Sequence, residues 1–537
     1  MSPAPVATSA IAEAPLQPVL IDGAWCAATA IDTFRGFDPT AGGPHGPLWP
    51  VSSWADVDRA LDAAVHAAVA LRRLPPAAIA VFLERYADRL AALADELVGL
   101  AHAETGLAAR PRLLEVELPR MLDQLRQAAS AAREGSWCMP MIDSQRNIRS
   151  LAVGLGPVVV FPPANFPFAY GAVTGGDFAA AIAAGNPVIA KAHPGCPSVS
   201  HRAAREAVEA LREAGLPPAS VQLLHGIAPA DGERLVADRR VGATAFTGGQ
   251  EAGKRLFAAA SAAGRVIWVE MGSINPIVLL PGAVAERPAD LAGELTASVT
   301  GSAGQFCTKP GLVLFVDDAA AGAFVAAVRE RFAASGPQVL LGPTGRRRLV
   351  ESLTRLQAAG AGTLVGGPDK TEGGPCTHPP TLLEAGGADV VAHPERLIVE
   401  AFGNATLLVR CRSVEEIGAV IGCVEGTLGA SLYRAADGRD DAAFASLAAL
   451  LVERSGRLIE NRMPTGLAVT APMQHGGPWP SAAPPFFTAV GFPGAMLRFA
   501  RRVCFDGFGQ DRLPEPLRDA APAARPWRFV DGGWTRG

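Results

Sequence analysis

Residues 242–270, GATAFTGGQEAGKRLFAAASAAGRVIWVE, decide the fold. The apolar runs 242–246 and 265–270 are typical of buried strands, and the Ala-rich run 249–262 between them is typical of a helix. Parallel strands need such a crossover, and a strand–helix–strand unit is the building block of a doubly wound sheet. This stretch therefore predicts an α/β fold.

The same alternation precedes this unit. Apolar runs at 157–161, 187–191 and 220–224 predict three more strands, separated by helical stretches at 170–184 and 199–214. Together the strands predict a Rossmann-type parallel sheet with helices on both faces. Such sheets bind ligands at the carboxyl ends of their strands, so the residues that follow each strand become candidate site residues.

The rest of the chain differs in pattern from this core. From residue 54 to about 130, apolar residues recur at three- and four-residue steps, which predicts helices. Residues 138–153 lose that period and predict a strand or a hairpin. A second alternating region at about 275–480 predicts another mixed α/β unit. Residues 1–20 predict a loose lead-in, and the Pro/Gly/Phe-rich tail after 480 is expected to be irregular.

The composition excludes several classes of protein. The 537 residues carry 48 basic and 52 acidic side chains, so no basic excess points to nucleic acid. No apolar run reaches the ~18 residues of a membrane span, and the first basic residue is Arg35, so neither a membrane anchor nor a signal peptide is expected. The eight cysteines form no C-x-x-C pair and the nine histidines lack metal-ligand spacing, which predicts no metal and a cytoplasmic protein with reduced thiols.

A glycine-rich turn, GGQEAGK at 248–254, joins a predicted strand to a helix. It nearly matches the P-loop pattern, but Arg255 stands where the magnesium-binding hydroxyl belongs, which argues against a P-loop phosphotransferase. Because glycines let backbone N–H groups approach a pyrophosphate, we interpret Gly248 and Gly249 as a phosphate-binding turn. A plain strand-to-helix turn is the alternative.

Cys307 is the candidate nucleophile. It lies in GQFCTKPG at 304–311, a loop bounded by Gly and Pro, two residues before Lys309. A nearby cation favours the reactive thiolate. The alternative is a small core residue, the interpretation that we give to the other seven cysteines.

Polar residues at other predicted strand ends complete the candidate site. Glu270 ends a strand, where a carboxylate serves as a general base or merely pairs with a cation. The Asn165 amide suits an oxyanion or a turn, and Lys191 suits a ribose or solvent. His475 is expected to be a loop residue and His225 a strand-end residue.

In that order, these motifs resemble the aldehyde dehydrogenase superfamily from about residue 20 to about residue 505. Some details look like the branch of NADP-using fatty-aldehyde and 2-oxoglutarate-semialdehyde (2,5-dioxovalerate) dehydrogenases. The stretches that match the superfamily are PANFP at 163–167, FTGG at 246–249, EMG at 270–272, GQFC at 304–307 and EAFG at 400–403. Those typical of the branch are KAHP at 191–194, MGSINP at 271–276, GQFCTKPG at 304–311, PTG at 464–466 and MQHGGP at 473–478.

The resemblance implies a role for each residue. Cys307 would attack the aldehyde to give a thiohemiacetal, whose oxyanion is held by the Asn165 amide and the Cys307 N–H. Hydride transfer to the nicotinamide would leave a thioester, and Glu270 would activate water to release the acid. For the cofactor, the resemblance implies Lys191 at the adenosine ribose, Gly248 and Gly249 at the pyrophosphate, and Glu400 and Phe402 at the nicotinamide ribose and ring.

Two departures from the pattern bear on cofactor and substrate. NAD-preferring relatives carry a glutamate three residues after the lysine, whereas this chain has Pro194 beside His193. Without that carboxylate a 2′-phosphate is not repelled, so we expect NADP to be preferred over NAD. The segment 479–487, with three aromatic residues, predicts a more apolar entrance than the branch has. A fatty, an aromatic and a 2-oxoglutarate semialdehyde substrate therefore all stay open.

The resemblance also implies an organisation into parts. We expect an NAD(P)-binding domain at 1–137 and 154–275, a catalytic domain at 276–480, and an oligomerisation arm and tail at 138–153 and 481–537. Family members assemble through such an arm, so a homodimer or homotetramer is expected. Two alternatives remain: a coenzyme-A-acylating relative, disfavoured by Glu270, and a catalytically silent nucleotide-binding protein of the same fold.

Overall fold

A computed structural model of the chain describes residues 15–370 and 373–536. Most of the predicted loose lead-in, residues 1–14, lies outside the described residues. The remainder of it is ordered, contrary to the prediction: Leu16 bridges Leu48, and Val19–Ile21 forms a strand with all three side chains buried. Burial of these apolar side chains against the sheet stabilises a segment that composition alone made look irregular.

The first sheet has eight strands, and its central five are parallel. All five strands predicted from sequence are present, each within one residue of its predicted bounds. The apolar runs are too short for helices but long enough for strands. Helices cover both faces of the sheet and bury these strands. In spatial order the strands are Ala24–Cys26, Val19–Ile21, Val221–Leu224, Val188–Lys191, Val158–Phe161, Ala243–Thr247, Val266–Glu270 and Ala482–Ala483.

Helices cover this sheet, as the apolar periodicity predicts. The helix expected at 170–184 begins only at Gly176, because Gly175 has an extended backbone (ψ 173°) and residues 170–175 form turns. A nine-residue π-helical segment, Ala109–Glu117, also interrupts the predicted helical region. The α-helices are Trp54–Leu71, Pro76–Ala91, Ala94–Thr105, Leu118–Glu134, Gly176–Ala183, Pro197–Ala214, Pro229–Ala237 and Gln250–Ala262. Among the described residues, none has the length and apolar character needed to cross a bilayer.

The second sheet has seven strands, parallel except for the first, and forms the α/β unit predicted at about 275–480. Its order is Gly362–Val365, Thr381–Gly386, Ala405–Cys411, Leu312–Val316, Pro276–Leu279, Ala430–Tyr433 and Leu458–Glu460. Its helices are Pro281–Glu286, Pro288–Thr300, Ala319–Ala334, Pro343–Ala358, Gly387–Ala392, Pro394–Leu397, Val414–Cys423 and Asp441–Val452. Smaller sheets pair Gly226–Ile227, Gly43–Ser52 and Ala30–Asp38, and Gln338–Val339 with Thr377–His378.

A third sheet of five strands contains the hairpin predicted at 138–153 and, contrary to the expectation of an irregular tail, three strands from residues 500–535. The last two strands are joined by Asp531-Gly532, both with positive φ (48° and 92°). An Asp-Gly pair at these angles is a strong hairpin signal, and the sequence reading overlooked it. The strands are Ala500–Asp506, Ile148–Gly154, Met141–Asp143, Arg528–Val530 and Gly533–Thr535. Residues 482–499, by contrast, pack against the first sheet.

We expect a buried ion pair to hold that packing. Arg498 Nη2 lies 2.6 Å from Asp177 Oδ1, and both side chains are nearly inaccessible. Replacing Asp177 with Ala leaves the guanidinium buried without a partner, which typically costs about 3–5 kcal/mol. The variant should unfold several degrees below the wild type in a thermal scan monitored by circular dichroism.

The matched control is the exposed pair Arg133–Glu84, 44% and 42% exposed. Its Glu84→Ala variant should lose no more than about 1 kcal/mol, since exposed pairs are screened by water. Equal thermal midpoints for the two variants would contradict a structural role for the Asp177 pair.

Candidate active site

Three segments distant in sequence meet where the two large sheets face each other. Glu270 ends the strand Val266–Glu270, as predicted. Cys307 follows a short 3₁₀ helix, Gly301–Gly304, and precedes the strand Leu312–Val316. The third segment is the loop after Leu458–Glu460, which brings His475 to the same point.

Thiol, imidazole and carboxylate form one cluster. Cys307 Sγ lies 3.5 Å from His475 Nε2, and that nitrogen lies 2.9 Å from Glu270 Oε1. The sulfur, nitrogen and oxygen atoms all lie within 4.8 Å of one another. His475 and Glu270 are buried, 2% and 5% exposed, so their interaction with the sulfur is little screened by water. Among the described residues, neither oxygen of Glu270 has a hydrogen-bond partner of good geometry.

Burial raises the pKa of the Cys307 thiol well above its ordinary value, and the adjacent Glu270 carboxylate raises that pKa further. The Arg120 guanidinium opposes both effects and lowers the pKa. The sulfur is therefore a neutral thiol near pH 7, and a nearby base must take its proton before it can attack a carbonyl.

The lysine expected to activate the thiol does something else. Lys309 Nζ donates to the Ala405 carbonyl at 2.5 Å, and the side chain is 2% exposed. Burial lowers its pKa to about 8, opposed by the Glu400 charge. Because its amino group points away from the sulfur into the second sheet, Lys309 anchors the loop, and the prediction that it favours the thiolate is wrong.

Asn275 holds the cysteine loop in place. Its amide Nδ2 donates to the carbonyls of Cys307 (2.8 Å) and Lys309 (3.0 Å). Its Oδ1 accepts from Ser273 Oγ (2.8 Å) and from Gly429 N (3.2 Å). The residue is fully buried and has a φ of +46°, a conformation that Asn adopts more readily than most residues do.

Asn165 lies on the other side of the cysteine loop. Its side-chain Nδ2 donates to the Gln305 backbone carbonyl at 3.0 Å. The backbone carbonyl of Asn165 accepts from Arg112 Nη2 at 3.0 Å. The bond to Gln305 fixes which end of the amide faces the loop, and the second N–H of the amide remains to donate elsewhere. This orientation suits a donor to an oxyanion near Cys307.

Two of the residues expected at the cofactor lie at and just after the end of a strand of the first sheet. Lys191 ends the strand Val188–Lys191, and burial lowers its pKa to about 8. Burial, together with the charge of Lys191, lowers the pKa of His193 to about 3, so the imidazole is neutral near pH 7. His193 Nδ1 accepts from Gly195 N at 2.9 Å, which leaves Nε2 as an N–H donor.

The phosphate turn has the predicted form. Gly249 immediately precedes the helix Gln250–Ala262, whose first N–H groups lack intrahelical partners. A Cβ at Gly249 would meet only Arg348 Nη1, at 3.7 Å, so the space above the helix end is open. Gly248 N donates to the Glu270 carbonyl at 3.0 Å, and a Cβ at Gly253 would overlap Met271. Gly248 and Gly253 therefore serve the packing of the turn itself.

Glu400 and Phe402, the other two residues expected at the cofactor, lie close to the segment that follows Glu270, which Glu400 contacts. Glu400 Oε1 accepts from Ser273 N at 3.1 Å, and a Cβ at Gly272 would overlap the carboxylate. Burial raises the pKa of Glu400 to about 7, with the Ser273 hydrogen bond and the Lys309 charge opposing it. Phe402 is half-buried two residues further on.

Sequence reasoning missed two residues of this site. His475 lies in a loop, as predicted, but contacts the nucleophile, and the only sequence signal was its place in HGGP within the branch motif. Asn275 stood in another quoted motif without a role. The expectation that the other cysteines pack in cores is wrong for Cys504, which is exposed on the third sheet.

Comparison with known proteins finds matches along most of the chain. The model of the aldehyde dehydrogenase family matches residues 25–477. The chain is 38% identical to alpha-ketoglutaric semialdehyde dehydrogenase 2 of Azospirillum brasilense, over 96% of this chain and 98% of the relative. It is 31% identical to the alpha-ketoglutaric semialdehyde dehydrogenase of Acinetobacter baylyi, over 94% and 96%.

Solved structures share the fold. Lactaldehyde dehydrogenase from Escherichia coli superimposes with a TM-score of 0.78 at 22% identity, over 91% of this chain and 98% of that one. An aldehyde dehydrogenase of Pseudomonas syringae, solved with NAD+ and octanal, also gives 0.78 at 22% identity, over 93% and 98%.

The charge balance around the thiol predicts the effect of Glu270→Gln. Removing the carboxylate charge lowers the pKa of Cys307, so alkylation of Cys307 by iodoacetamide should accelerate at fixed pH and its midpoint should move to lower pH. Mass spectrometry of the Cys307 peptide separates this signal from the exposed Cys504.

Glu395→Gln is the matched control, because it removes an exposed carboxylate on the helix Pro394–Leu397. It should leave the pH profile of Cys307 alkylation unchanged. If the midpoint pH of Cys307 alkylation is unchanged or higher in Glu270→Gln, the electrostatic account is contradicted.

Proposed function

The chain belongs to the aldehyde dehydrogenase family and oxidises aldehydes to acids with NAD(P)+; on that premise we propose that its substrate carries a carboxylate, with 2-oxoglutarate semialdehyde as the leading candidate. The carrying observation is similarity along nearly the whole chain to two enzymes named for that substrate. The apolar entrance expected from residues 479–487 would argue against a charged substrate. However, the Phe487 ring packs on Trp268 and Phe486 is 76% exposed, so neither ring is seen to line an entrance.

In the proposed mechanism, Cys307 is the nucleophile and loses its proton to the neighbouring His475–Glu270 pair. The sulfur bonds to the aldehyde carbon, and the resulting oxyanion is held by the second N–H of Asn165 and the Cys307 backbone N–H. Loss of hydride from that carbon leaves a thioester on Cys307.

Glu270 then serves as the base for hydrolysis. Its oxygens lack hydrogen-bond partners of good geometry among the described side chains and are therefore available to a water molecule. The activated water adds to the thioester, the carbon–sulfur bond breaks, and the acid leaves with the thiol restored. A carboxylate in this position supports hydrolysis over transfer to coenzyme A, which needs no water-activating base.

The cofactor supplies the hydride acceptor. Lys191, Gly249 and Glu400 would hold it, and the open space above the helix end at Gly249 fits a pyrophosphate. We propose a preference for NADP: no carboxylate stands at Pro194, and the neutral His193 offers an N–H donor to a 2′-phosphate.

We further propose a homodimer or homotetramer assembled through the third sheet, and the division into cofactor domain, catalytic domain and arm. Support comes from the two edge strands of that sheet, Ala500–Asp506 and Gly533–Thr535, and from exposed Trp527 and Trp534 beside them. Eight unpaired cysteines support a cytoplasmic location.

The activity itself is tested with purified protein, both cofactors and an aldehyde panel. The panel contains 2-oxoglutarate semialdehyde, succinic semialdehyde, pentanal and benzaldehyde, and reduced cofactor is read at its absorbance maximum. We expect carboxylated aldehydes to be used best, and Cys307→Ala to lose more than about 10⁴-fold in kcat. Exposed Cys504→Ala is the matched control.

Two outcomes would overturn the proposal. Faster turnover of pentanal or benzaldehyde than of both semialdehydes would exclude carboxylated aldehydes as the preferred substrates. Formation of acyl-CoA when coenzyme A is added, detected by mass spectrometry, would favour the acylating alternative.

Cofactor choice is tested at Pro194. Pro194→Glu places a carboxylate where the 2′-phosphate is expected, so kcat/KM with NADP should fall about tenfold or more because of like-charge repulsion. The neutral Pro194→Gln variant separates charge from size and should keep its NADP activity. A wild type that strongly prefers NAD would contradict the proposed preference.

A further inference from the structure

We infer that Arg120 and Arg457 form an anion site that binds the distal carboxylate of the aldehyde substrate. This inference rests on the proposed function, because it assigns residues to the recognition of the carboxylate. Both guanidinium groups lie near the Cys307 thiol. Among the described residues, neither of them has an acidic partner.

Arg120 lies in the first turn of the helix Leu118–Glu134 and faces an aromatic cluster. Its guanidinium carbon is 5.4 Å from the ring centre of Tyr170 and 5.6 Å from that of Phe166, and Nη2 donates to the Tyr170 hydroxyl at 3.4 Å. The buried Nε has no hydrogen-bond partner in residues 15–370 and 373–536, and no acidic residue there forms an ion pair with Arg120.

The aromatic cluster connects Arg120 to the reacting sulfur. The Tyr170 ring lies edge-on to His475, 5.9 Å between centres, and His475 Nε2 is 3.5 Å from Cys307 Sγ. The Phe166 ring lies 5.6 Å from Phe306, which precedes Cys307 in sequence. Arg120 is therefore one aromatic layer from the thiol, and its charge lowers the pKa of Cys307.

Arg457 approaches the same cluster from the second sheet. Nη1 donates to the Gly466 carbonyl at 3.1 Å and contacts Met473 Sδ at 3.9 Å, and Nη2 donates to the Pro464 carbonyl. Met473 packs against the small apolar cluster that contains Tyr170. These partners are neutral, and none of the described acidic residues pairs with Arg457.

A third arginine at the cluster shows the contrast. Arg112 lies 4.4 Å from the Phe166 ring centre, but its Nη1 is 2.5 Å from Glu117 Oε2. Glu117 in turn accepts from the backbone N–H groups of Phe168 and Ala169. Arg112 is thus neutralised and serves the structure, whereas Arg120 and Arg457 are not neutralised by any acidic residue that the structure describes.

Two partly buried cations without anions are costly unless a ligand supplies the charge. A carboxylate at the far end of a short aldehyde would satisfy both, since a planar guanidinium binds carboxylates through charge-assisted, paired hydrogen bonds. A fatty or aromatic aldehyde would leave both cations unpaired. The geometry thus favours a short semialdehyde of a dicarboxylic acid.

The test compares matched charged and neutral substrates. Wild type and Arg120→Met are assayed with succinic semialdehyde and with butanal, which have the same number of carbons but differ in the carboxylate. Arg120→Met should lose at least about 30-fold more in kcat/KM with succinic semialdehyde than with butanal, mainly through KM, because both substrates lose the effect of Arg120 on the thiol but only the semialdehyde loses a partner for its carboxylate. Arg126→Met, an exposed residue of the same helix that pairs with Asp88, is the control and should match wild type on both.

A second measurement tests Arg457. A substitution there also removes hydrogen bonds to backbone carbonyls, so loss of activity alone would not distinguish misfolding from loss of binding. Glutarate, an unreactive dicarboxylate, should inhibit the wild type competitively, and its inhibition constant should rise about tenfold in both Arg120→Met and Arg457→Lys. Cofactor binding, followed by fluorescence, should be unchanged in both variants and reports that they are folded.

The outcomes separate this inference from the proposed function. A wild type that uses butanal as well as succinic semialdehyde sinks the proposed function, and the anion site with it. A wild type that prefers the semialdehyde, but whose Arg120→Met variant loses activity equally on both substrates, keeps the function and overturns the inference, because Arg120 then acts only on the thiol. Unchanged glutarate inhibition in both variants would overturn it as well.

Discussion

The site depends on the hydrogen bonds that Asn275 makes at the start of the second sheet, immediately before the strand Pro276–Leu279. This buried side chain holds the carbonyls of Cys307 and Lys309 and accepts from Ser273 and Gly429, so it joins the strand end that carries Glu270 to the loop that carries the thiol. A buried amide with every group satisfied fixes geometry more firmly than apolar packing does. These bonds hold the loop that places Cys307 Sγ 3.5 Å from His475 Nε2.

Opposed charges around the sulfur connect this geometry to reactivity. Burial and Glu270 keep Cys307 protonated, whereas Arg120 favours the thiolate. A buried carboxylate beside a thiol is electrostatically unfavourable for the first step, but in the proposed mechanism it serves the second, the hydrolysis of the thioester. Arg120 offsets part of that conflict and, in our account, also binds the substrate. Substrate charge and nucleophile activation would then depend on one side chain.

Strand ends were the predictable part of this molecule. Glu270, Lys191 and the turn at Gly248 were found from sequence because parallel sheets present their carboxyl ends at one edge, and apolar runs locate those ends well. His475, Arg120 and Arg457 carry no such signal: they come from loops and a distant helix, and only tertiary packing brings them to the thiol. Lys309 was misjudged because two residues along a chain do not say where a long side chain points.

The most direct test of the central claim is to trap the covalent intermediate. Glu270→Gln is mixed with 2-oxoglutarate semialdehyde and NADP+, quenched in acid and analysed by peptide mass spectrometry. Because the variant lacks the base for hydrolysis, the account predicts an acyl group on Cys307, formed with one equivalent of NADPH, that persists far longer than in the wild type. NADPH production without an adduct, or an adduct on a different cysteine, would contradict it.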